Sequence, residues 1–148
     1  MTARWCDDFK LGIAILDNQH ERFFSILGRL DSAQNTNGNN EILEKIFLDL
    51  INYCNYHFAT EENAMEKNLF SRFEFHKVLH DCFIEKIYDF YYKFKKNDNS
   101  FVLSDSINFL NDWIIDHIMV EDRKYVSAVS DWFGKKQCNQ DKSNSKVS

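Results

Sequence analysis

The five histidines of the chain are the side chains best suited to chemistry, and two helical pairs stand out among them. His57 is followed four residues later by Glu61, and His76 is followed at the same spacing by His80. At about 100° per residue, residues four apart lie on one face of a helix, about one turn from each other. Each pair is therefore predicted to reach a single central site, where imidazole nitrogens and a carboxylate are suited to binding metal ions.

A third pair, His117 and Asp122, has a spacing of five residues. On a regular helix this spacing turns the two side chains apart by roughly 140°. Both can face inward only if the helix is distorted, if it ends, or if the reach of the side chains compensates; a π-bulge or altered turn near Val120 is one candidate. The remaining histidine, His20, follows Asp17, which is predicted to cap the first helix.

All five histidines fall on stripes that are otherwise apolar, and buried imidazoles need polar partners. Singly, each has an ordinary explanation as a hydrogen-bonded core residue, and Glu61 and Asp122 could belong to solvated charge runs with their neighbours. Together, five imidazoles and two carboxylates exceed the ligands of one tetrahedral zinc and indicate two metal ions. Imidazole suits iron, copper or zinc, and carboxylates can bridge two cations.

Helices are predicted to position these residues, because the chain contains no proline and its apolar residues recur at helical spacing. Asn-rich breaks at 34–40 and 96–100 and a weaker break at 68–72 leave segments of about 17–32, 40–67, 71–95 and 104–132. Ser71 and Glu74 are spaced like a capping box at the start of the third segment. Short connections predict an all-α fold, an antiparallel up-down-up-down four-helix bundle.

Composition and charge set further expectations. Residues 1–134 are predicted to form the domain with an N-terminal arm, and the polar stretch 135–148 is predicted to be disordered. Four widely separated cysteines without a C-x-x-C pair predict free thiols. The absence of a secretory-type leader and of an apolar run near 20 residues predicts a cytoplasmic protein without a membrane span. A net charge of −5 without a basic cluster argues against nucleic acid as a partner.

The pattern of residues around the histidines resembles that of the bacterial hemerythrins. The resembling positions are Trp5, Gly12, the DNQH run at 17–20, the stretch 53–62, Met65, His76, His80, Trp113, His117, Ile118 and Asp122. The resemblance extends over about residues 5–125 and fills all seven expected ligand positions. Many bacterial members have a Gly-Tyr-Pro-like turn before the third helix, where this chain has NLFS at 68–71. That departure puts the turn geometry in doubt but removes no ligand.

The resemblance implies a non-haem centre of two iron ions with a bridging oxo or hydroxo group. In chain order, the implied metal ligands are His20, His57, Glu61, His76, His80, His117 and Asp122. The last three histidines would hold one iron and the first two the other, while the two carboxylates bridge both ions. The two-His iron would then be one ligand short, and dioxygen would bind there.

Reversible oxygen binding as in that family requires a dry pocket, because water and protons promote loss of the bound oxygen as peroxide, which leaves inactive diferric protein. The candidate lining residues are the apolar neighbours of the ligands, Phe58, Trp113, Ile115 and Ile118, whose default interpretation is ordinary core. Tyr53 and Tyr56 are candidates for hydrogen bonds to the ligands.

By the same resemblance, the chain is expected to be an oxygen carrier, store or delivery protein and not an enzyme. Its partners would be dioxygen and an oxygen-consuming or redox protein. One alternative is an oxygen or redox sensor, although no signalling module is visible. Another is a di-iron peroxidase or iron-oxidising enzyme, but such bundles generally use carboxylate-rich sites with Glu-x-x-His motifs. A metal-free structural bundle would leave five inward histidines unexplained.

Overall fold

The computed structural model describes residues 1–99 and 101–145, which form five α-helices and no strand. A short 3-10 helix, Asp7–Phe9, comes first. The α-helices are α1 (Ala14–Asn35), α2 (Asn40–Lys67), α3 (Phe73–Lys95), α4 (Leu103–Asp116) and α5 (Val126–Ser145). A π segment, His117–Glu121, and a 3-10 segment, Asp122–Tyr125, join α4 to α5. Because right-handed helical torsions continue through these junctions, the two helices and the two segments form one rod, here called the fourth rod.

The four rods pack as the predicted antiparallel four-helix bundle, so the fold class is confirmed. Helix α2 packs against α1 and α3, and α1 also packs against α4. Aromatic side chains fill much of the interior; Phe47, for example, packs against Phe94 and Phe101. The buried apolar side chains form one cluster that is continuous along the bundle, and any polar side chain turned inward is surrounded by it.

Two predicted helix starts differ from the structure. Helix α1 begins at Ala14, and Asp17 lies within its first turn rather than at the cap. The Asp17 carboxylate instead accepts hydrogen bonds from the backbone N–H groups of Leu11 and Gly12, which precede the helix. Gly12 has a φ of +83°, a conformation that glycine adopts without steric cost. The prediction of Asp17 as N-cap is therefore wrong, although its carboxylate still holds the chain entering α1.

The predicted capping box before α3 is also wrong. Helix α3 begins at Phe73, and Arg72 precedes it without a side-chain capping bond. Helix α2 begins at Asn40 as predicted, because the Asn39 side chain accepts a hydrogen bond of 2.8 Å from the N–H of Ile42. Sequence spacing alone therefore identified the position of the helices better than the residue that caps each one.

The first three helices end in the same arrangement. The second residue after each helix has positive φ, and the N–H of the residue that follows it donates to the carbonyl five positions earlier, as in a Schellman motif. The residues with positive φ are Asn37, Leu69 and Asn97. Leu69 adopts this conformation less readily than asparagine does. The turn between α2 and α3 thus keeps an ordinary helix-end geometry despite its unusual sequence.

The C-terminal stretch differs from its prediction. Helix α5 continues to Ser145, with residues 134–145 exposed, whereas disorder is predicted from 135 onward. Residues 146–148 lie outside the described part of the chain, and the domain boundary after Gly134 stays a prediction. All four cysteines are free, with Cys54 buried. Among the described residues, no helix has the length and apolar character needed to cross a bilayer.

Candidate metal centre

One cluster holds almost all of the buried polar side chains in the described part of the chain. Apart from Ser106, these side chains are the seven predicted ligands, each at most 3% exposed: His20, His57, Glu61, His76, His80, His117 and Asp122. Each of the four rods supplies at least one of them. Removing so many ionisable groups from water is costly unless they bind each other or a common cation.

Glu61 turns its two carboxylate oxygens toward different histidines. Oε1 lies 3.4 Å from Nε2 of His20 and 2.9 Å from Nε2 of His57. Oε2 lies 3.6 Å from Nε2 of His76 and 3.2 Å from Nε2 of His80. The carboxylate therefore separates a group of two histidines from a second group.

Asp122 repeats this division from the fourth rod. Its Oδ2 lies 3.1 Å from Nε2 of His20, whereas Oδ1 lies 3.2 Å from Nε2 of His76 and 3.0 Å from Nε2 of His117. Nε2 of His117 and Nε2 of His80 are 3.1 Å apart. We call the two groups the two-His side, His20 and His57, and the three-His side, which comprises His76, His80 and His117. Each carboxylate faces both sides, which is the arrangement of a bridging ligand.

The π segment explains how His117 and Asp122 face the same centre. The backbone N–H of Asp122 donates to the carbonyl of His117, five residues earlier. This wider turn accommodates one more residue than an α-helical turn, so a five-residue spacing returns to one face of the rod. Of the alternatives that the sequence leaves open for this pair, the structure contains the π-bulge.

Both buried carboxyls are ionised in the metal-free protein. Burial would raise the pKa of Glu61, but the charge of His57 and hydrogen bonds with nearby histidines hold it well below its usual range. Burial and the charge of Glu61 would likewise raise the pKa of Asp122, but the charge of His117 and hydrogen bonds lower it. The centre therefore holds two negative charges that need positive partners.

The imidazoles respond to these charges unequally. Burial opposes protonation of His20 and His76, but hydrogen bonds with Asp122 and Glu61 outweigh it and raise the pKa of each ring to about 9. At His57 burial prevails and lowers the pKa. Protons on His20 and His76 thus occupy the space between the carboxylates, where a bound cation would replace them.

Unpartnered atoms support the fit of a metal. Several buried atoms lie close to one another at the centre but form no hydrogen bond of ordinary geometry in the described structure: Oε2 of Glu61, both oxygens of Asp122, and Nε2 of His20 and of His76. All of these face other ligand atoms across the centre. The candidate ligand atoms form two sets that share Glu61. Within each set, all atoms lie within 4.8 Å of one another. Nitrogen and carboxylate donors in two sets fit a pair of cations such as iron.

Comparison with known proteins agrees with this geometry. Residues 11–129 match the family model described as hemerythrin HHE cation binding domain. A bacteriohemerythrin of Pseudomonas aeruginosa is 32% identical over 125 residues, covering 84% of this chain and 80% of its own length. The chain belongs to the hemerythrin family. A hemerythrin subunit alpha of Lingula reevii is 30% identical, covering 82% of this chain and 90% of its own length.

Solved structures support the same membership. A crystal structure of wild-type hemerythrin superimposes with a TM-score of 0.79 at 30% identity, covering 86% of this chain and 98% of that one. The hemerythrin match at 11–129 includes all seven predicted ligands and ends within α5.

Three residues bind the hemerythrin-type ligands from outside, and sequence reasoning assigned none of them a role. Gln19 Oε1 lies 2.6 Å from Nδ1 of His57, and Glu62 Oε1 lies 2.9 Å from Nδ1 of His80. Tyr125 donates a hydrogen bond of 2.8 Å to Oε1 of Glu61. The available signal was proximity along the chain: Gln19 and Glu62 each adjoin a ligand, and Tyr125 lies one turn after Asp122.

The two tyrosines named from the sequence lie in different surroundings, and among the described contacts neither hydroxyl donates directly to a predicted ligand. Tyr53 is buried, its hydroxyl donates to the backbone carbonyl of Gln19, and its ring stacks on His57 at 5.4 Å between centroids. Tyr56 is 66% exposed, so its predicted hydrogen bond to a ligand is wrong.

The apolar candidates lie at different distances from the ligands. The Phe58 ring stacks on His80 at 3.8 Å between centroids, and Trp113 stacks on His117 at 4.1 Å. Ile118 is fully buried directly after His117. Ile115 is only half-buried and lies two residues before His117, so the helix turns it away from the centre. Ile114, which is 2% exposed, occupies the inward position instead.

Proposed function

We propose that this chain binds dioxygen reversibly at a non-haem di-iron centre and acts as an oxygen carrier, store or delivery protein. The observation that carries the proposal is the division of the ligands by Glu61 and Asp122. It provides five protein donor atoms on the three-His side but four on the two-His side. The two-His side therefore has room for one more ligand.

Each residue of the cluster has a distinct part in this proposal. His76, His80 and His117 would hold one ion, His20 and His57 the other, and the two carboxylates both. When bound, the iron pair would supply the two electrons that reversible binding of dioxygen requires. An oxo or hydroxo group would be the remaining ligand shared by the two ions. The carboxylates stay ionised because of their lowered pKa values and offset the positive charge of the ions.

Exclusion of water is the second requirement, and apolar residues around the ligands support it. Phe58 and Trp113 cover the imidazoles of His80 and His117 with stacked rings. We propose Ile114 and Ile118 as further lining, with Ile114 replacing Ile115, which the sequence analysis named as an apolar neighbour of the ligands. A dry, histidine-rich site favours release of intact dioxygen over further oxidation chemistry, which supports a binding protein over an enzyme.

An oxygen titration after anaerobic reduction tests the proposal. The protein should contain two irons per chain, and adding oxygen to the reduced form should produce a visible charge-transfer absorption that nitrogen purging slowly removes. Rapid, irreversible bleaching would contradict reversible binding and favour a peroxidase or an iron-oxidising enzyme. A protein without bound iron would refute the centre itself.

His57→Ala links the spectrum to the assigned ligands. It removes an imidazole from the two-His side, so we expect loss of at least one iron and of the oxygen-dependent absorption. Cys138→Ala is the control, because Cys138 is exposed on α5. Equal iron loss in both variants would refute the ligand assignment.

A further inference from the structure

The outer nitrogens of the ligand histidines have unequal partners. His80 on the three-His side contacts a carboxylate, because its Nδ1 lies 2.9 Å from Oε1 of Glu62. On the two-His side, the outer nitrogen of His57 faces a neutral amide instead, with Nδ1 2.6 Å from Oε1 of Gln19. Nδ1 of His20 is buried and has no hydrogen-bond partner. The three-His side therefore has a charged outer partner that neither ring of the two-His side has in the described structure.

These partners change how strongly each imidazole binds a cation. Because Nε2 of His57 and of His80 faces the centre, a cation bound there would leave the ring proton on Nδ1, which would donate it to the outer partner. A carboxylate acceptor makes the ring a stronger donor and restricts its rotation, whereas an amide does so less. His20, with no partner at Nδ1, gains neither effect.

The donor count acts in the same direction as the outer partners. The three-His side offers one more nitrogen than the two-His side, while the two carboxylates are shared. The Glu62 side chain is partly accessible to solvent, since it is 22% exposed. It therefore adds a negative charge near the three-His side at small desolvation cost.

We propose that the two metal positions fill in order, the three-His side first, and that Glu62 and Gln19 are the positioning residues that set the difference. This inference rests on the proposed di-metal centre and extends it to the affinity of each position. A protein given one equivalent of a divalent ion would thus hold it on the three-His side. The two-His side, where a small ligand would have room, would be the last to fill and the first to empty.

Titration of the chelator-treated full chain with Co²⁺ under nitrogen tests this order. We expect two resolved binding steps, with the tighter step kept in His57→Ala and lost in His117→Ala. The opposite assignment would overturn the inference, as would two steps of equal affinity. If wild-type protein binds no Co²⁺ at all, the proposed metal centre itself fails, so the two failures are distinguishable.

Repulsion between the two ions would weaken the second binding step whatever the outer partners are. Two substitutions distinguish this repulsion from the effect of the outer partners on affinity. Glu62→Gln keeps the size of the side chain and removes its charge, so the tighter step should weaken roughly 10–100-fold while the weaker step changes little. Gln19→Glu places a carboxylate against His57 and should strengthen the weaker step. Gains at one step are not expected from a purely structural role.

Glu66→Gln is the matched control, because Glu66 is exposed one turn further along α2. The substitution removes the same charge from the same helix. It should leave both steps unchanged. Equal weakening of both steps by Glu62→Gln, or no response to Glu62→Gln and Gln19→Glu, would overturn the role of the outer partners. Circular dichroism of each metal-free variant shows whether it remains folded.

Discussion

Helix α2 and the fourth rod each present a histidine and a carboxylate to the same centre, but they do so with different backbones. In α2, His57 and Glu61 are four residues apart on a regular α-helix. In the fourth rod, His117 and Asp122 are five apart and meet only because the backbone widens into a π segment. The comparison shows that equivalent ligand positions need not have equivalent spacing when the backbone can absorb an extra residue.

Deleting one residue within each pair is the strongest test of this difference. Removing Ala59 from α2 should abolish binding of two metals, since a regular helix has no bulge to absorb the loss and every later side chain rotates by about 100°. Removing Val120 should convert the π segment to α-helix and keep His117 and the aspartate on one face. We therefore expect that variant to retain metal with weaker affinity, measured by metal analysis and Co²⁺ titration. Complete metal loss in both deletions would show that the π turn is itself essential.

Without metal, protonated histidines offset the negative charges of the two carboxylates, so the stability of the metal-free protein should depend on pH. His20 and His76 contact both Glu61 and Asp122, and their pKa values of about 9 exceed the ordinary value of 6.5. A raised folded-state pKa gives stability that is complete below 6.5 and is lost as pH rises through about 9. The metal-free protein should therefore lose a few kcal/mol of unfolding free energy between those pH values.

Urea unfolding of the metal-free and metal-loaded proteins across this pH range measures the effect. The loaded protein should change much less, because cations replace the same protons. A metal-free protein that becomes more stable as pH rises from 6.5 to about 9 would contradict the assigned role of these histidines.

The smallest expected effect concerns a hydrogen bond from a tyrosine hydroxyl, which among the described contacts Glu61 accepts and Asp122 does not. Tyr125, from the fourth rod, donates to Glu61 of α2. Tyr125→Phe should lower the free energy of unfolding by about 1.5–3 kcal/mol, the usual range for a hydrogen bond to a charged group, and should speed metal loss to a chelator. Tyr56→Phe is the control, because Tyr56 is 66% exposed. Identical melting temperatures for the two variants would show that the Tyr125 bond contributes nothing.

Most of the fold, and the clustering of the candidate ligands that share a helix, were predictable because they depend on local periodicity. The bounds of α2 are those predicted, since Asn-rich breaks and an asparagine cap delimit it. The pairs His57–Glu61 and His76–His80 need only a regular helix to share a face. Sequence reasoning chose Ile115, whereas the more deeply buried of the two adjacent isoleucines is Ile114, because apolar character alone does not say which of them turns inward.

The outer partners could not be derived from spacing, because they join residues distant in sequence. Gln19 binds a histidine on α2, and Glu62 binds one on α3. Tyr125 and Glu61 are 64 residues apart along the chain. Which neighbouring polar group meets which imidazole depends on how the rods are rotated and offset against each other.

The order of amino acids determined which faces of the helices are apolar and placed metal-binding side chains on them, because helical periodicity converts spacing directly into direction. The tertiary structure alone decided that Glu61 and Asp122 each divide their oxygens between two groups of histidines, and that the π turn brings Asp122 to its place. These features depend on the packing of four rods, since a carboxylate oxygen is directed by the groups that surround it in space rather than by its neighbours in the chain.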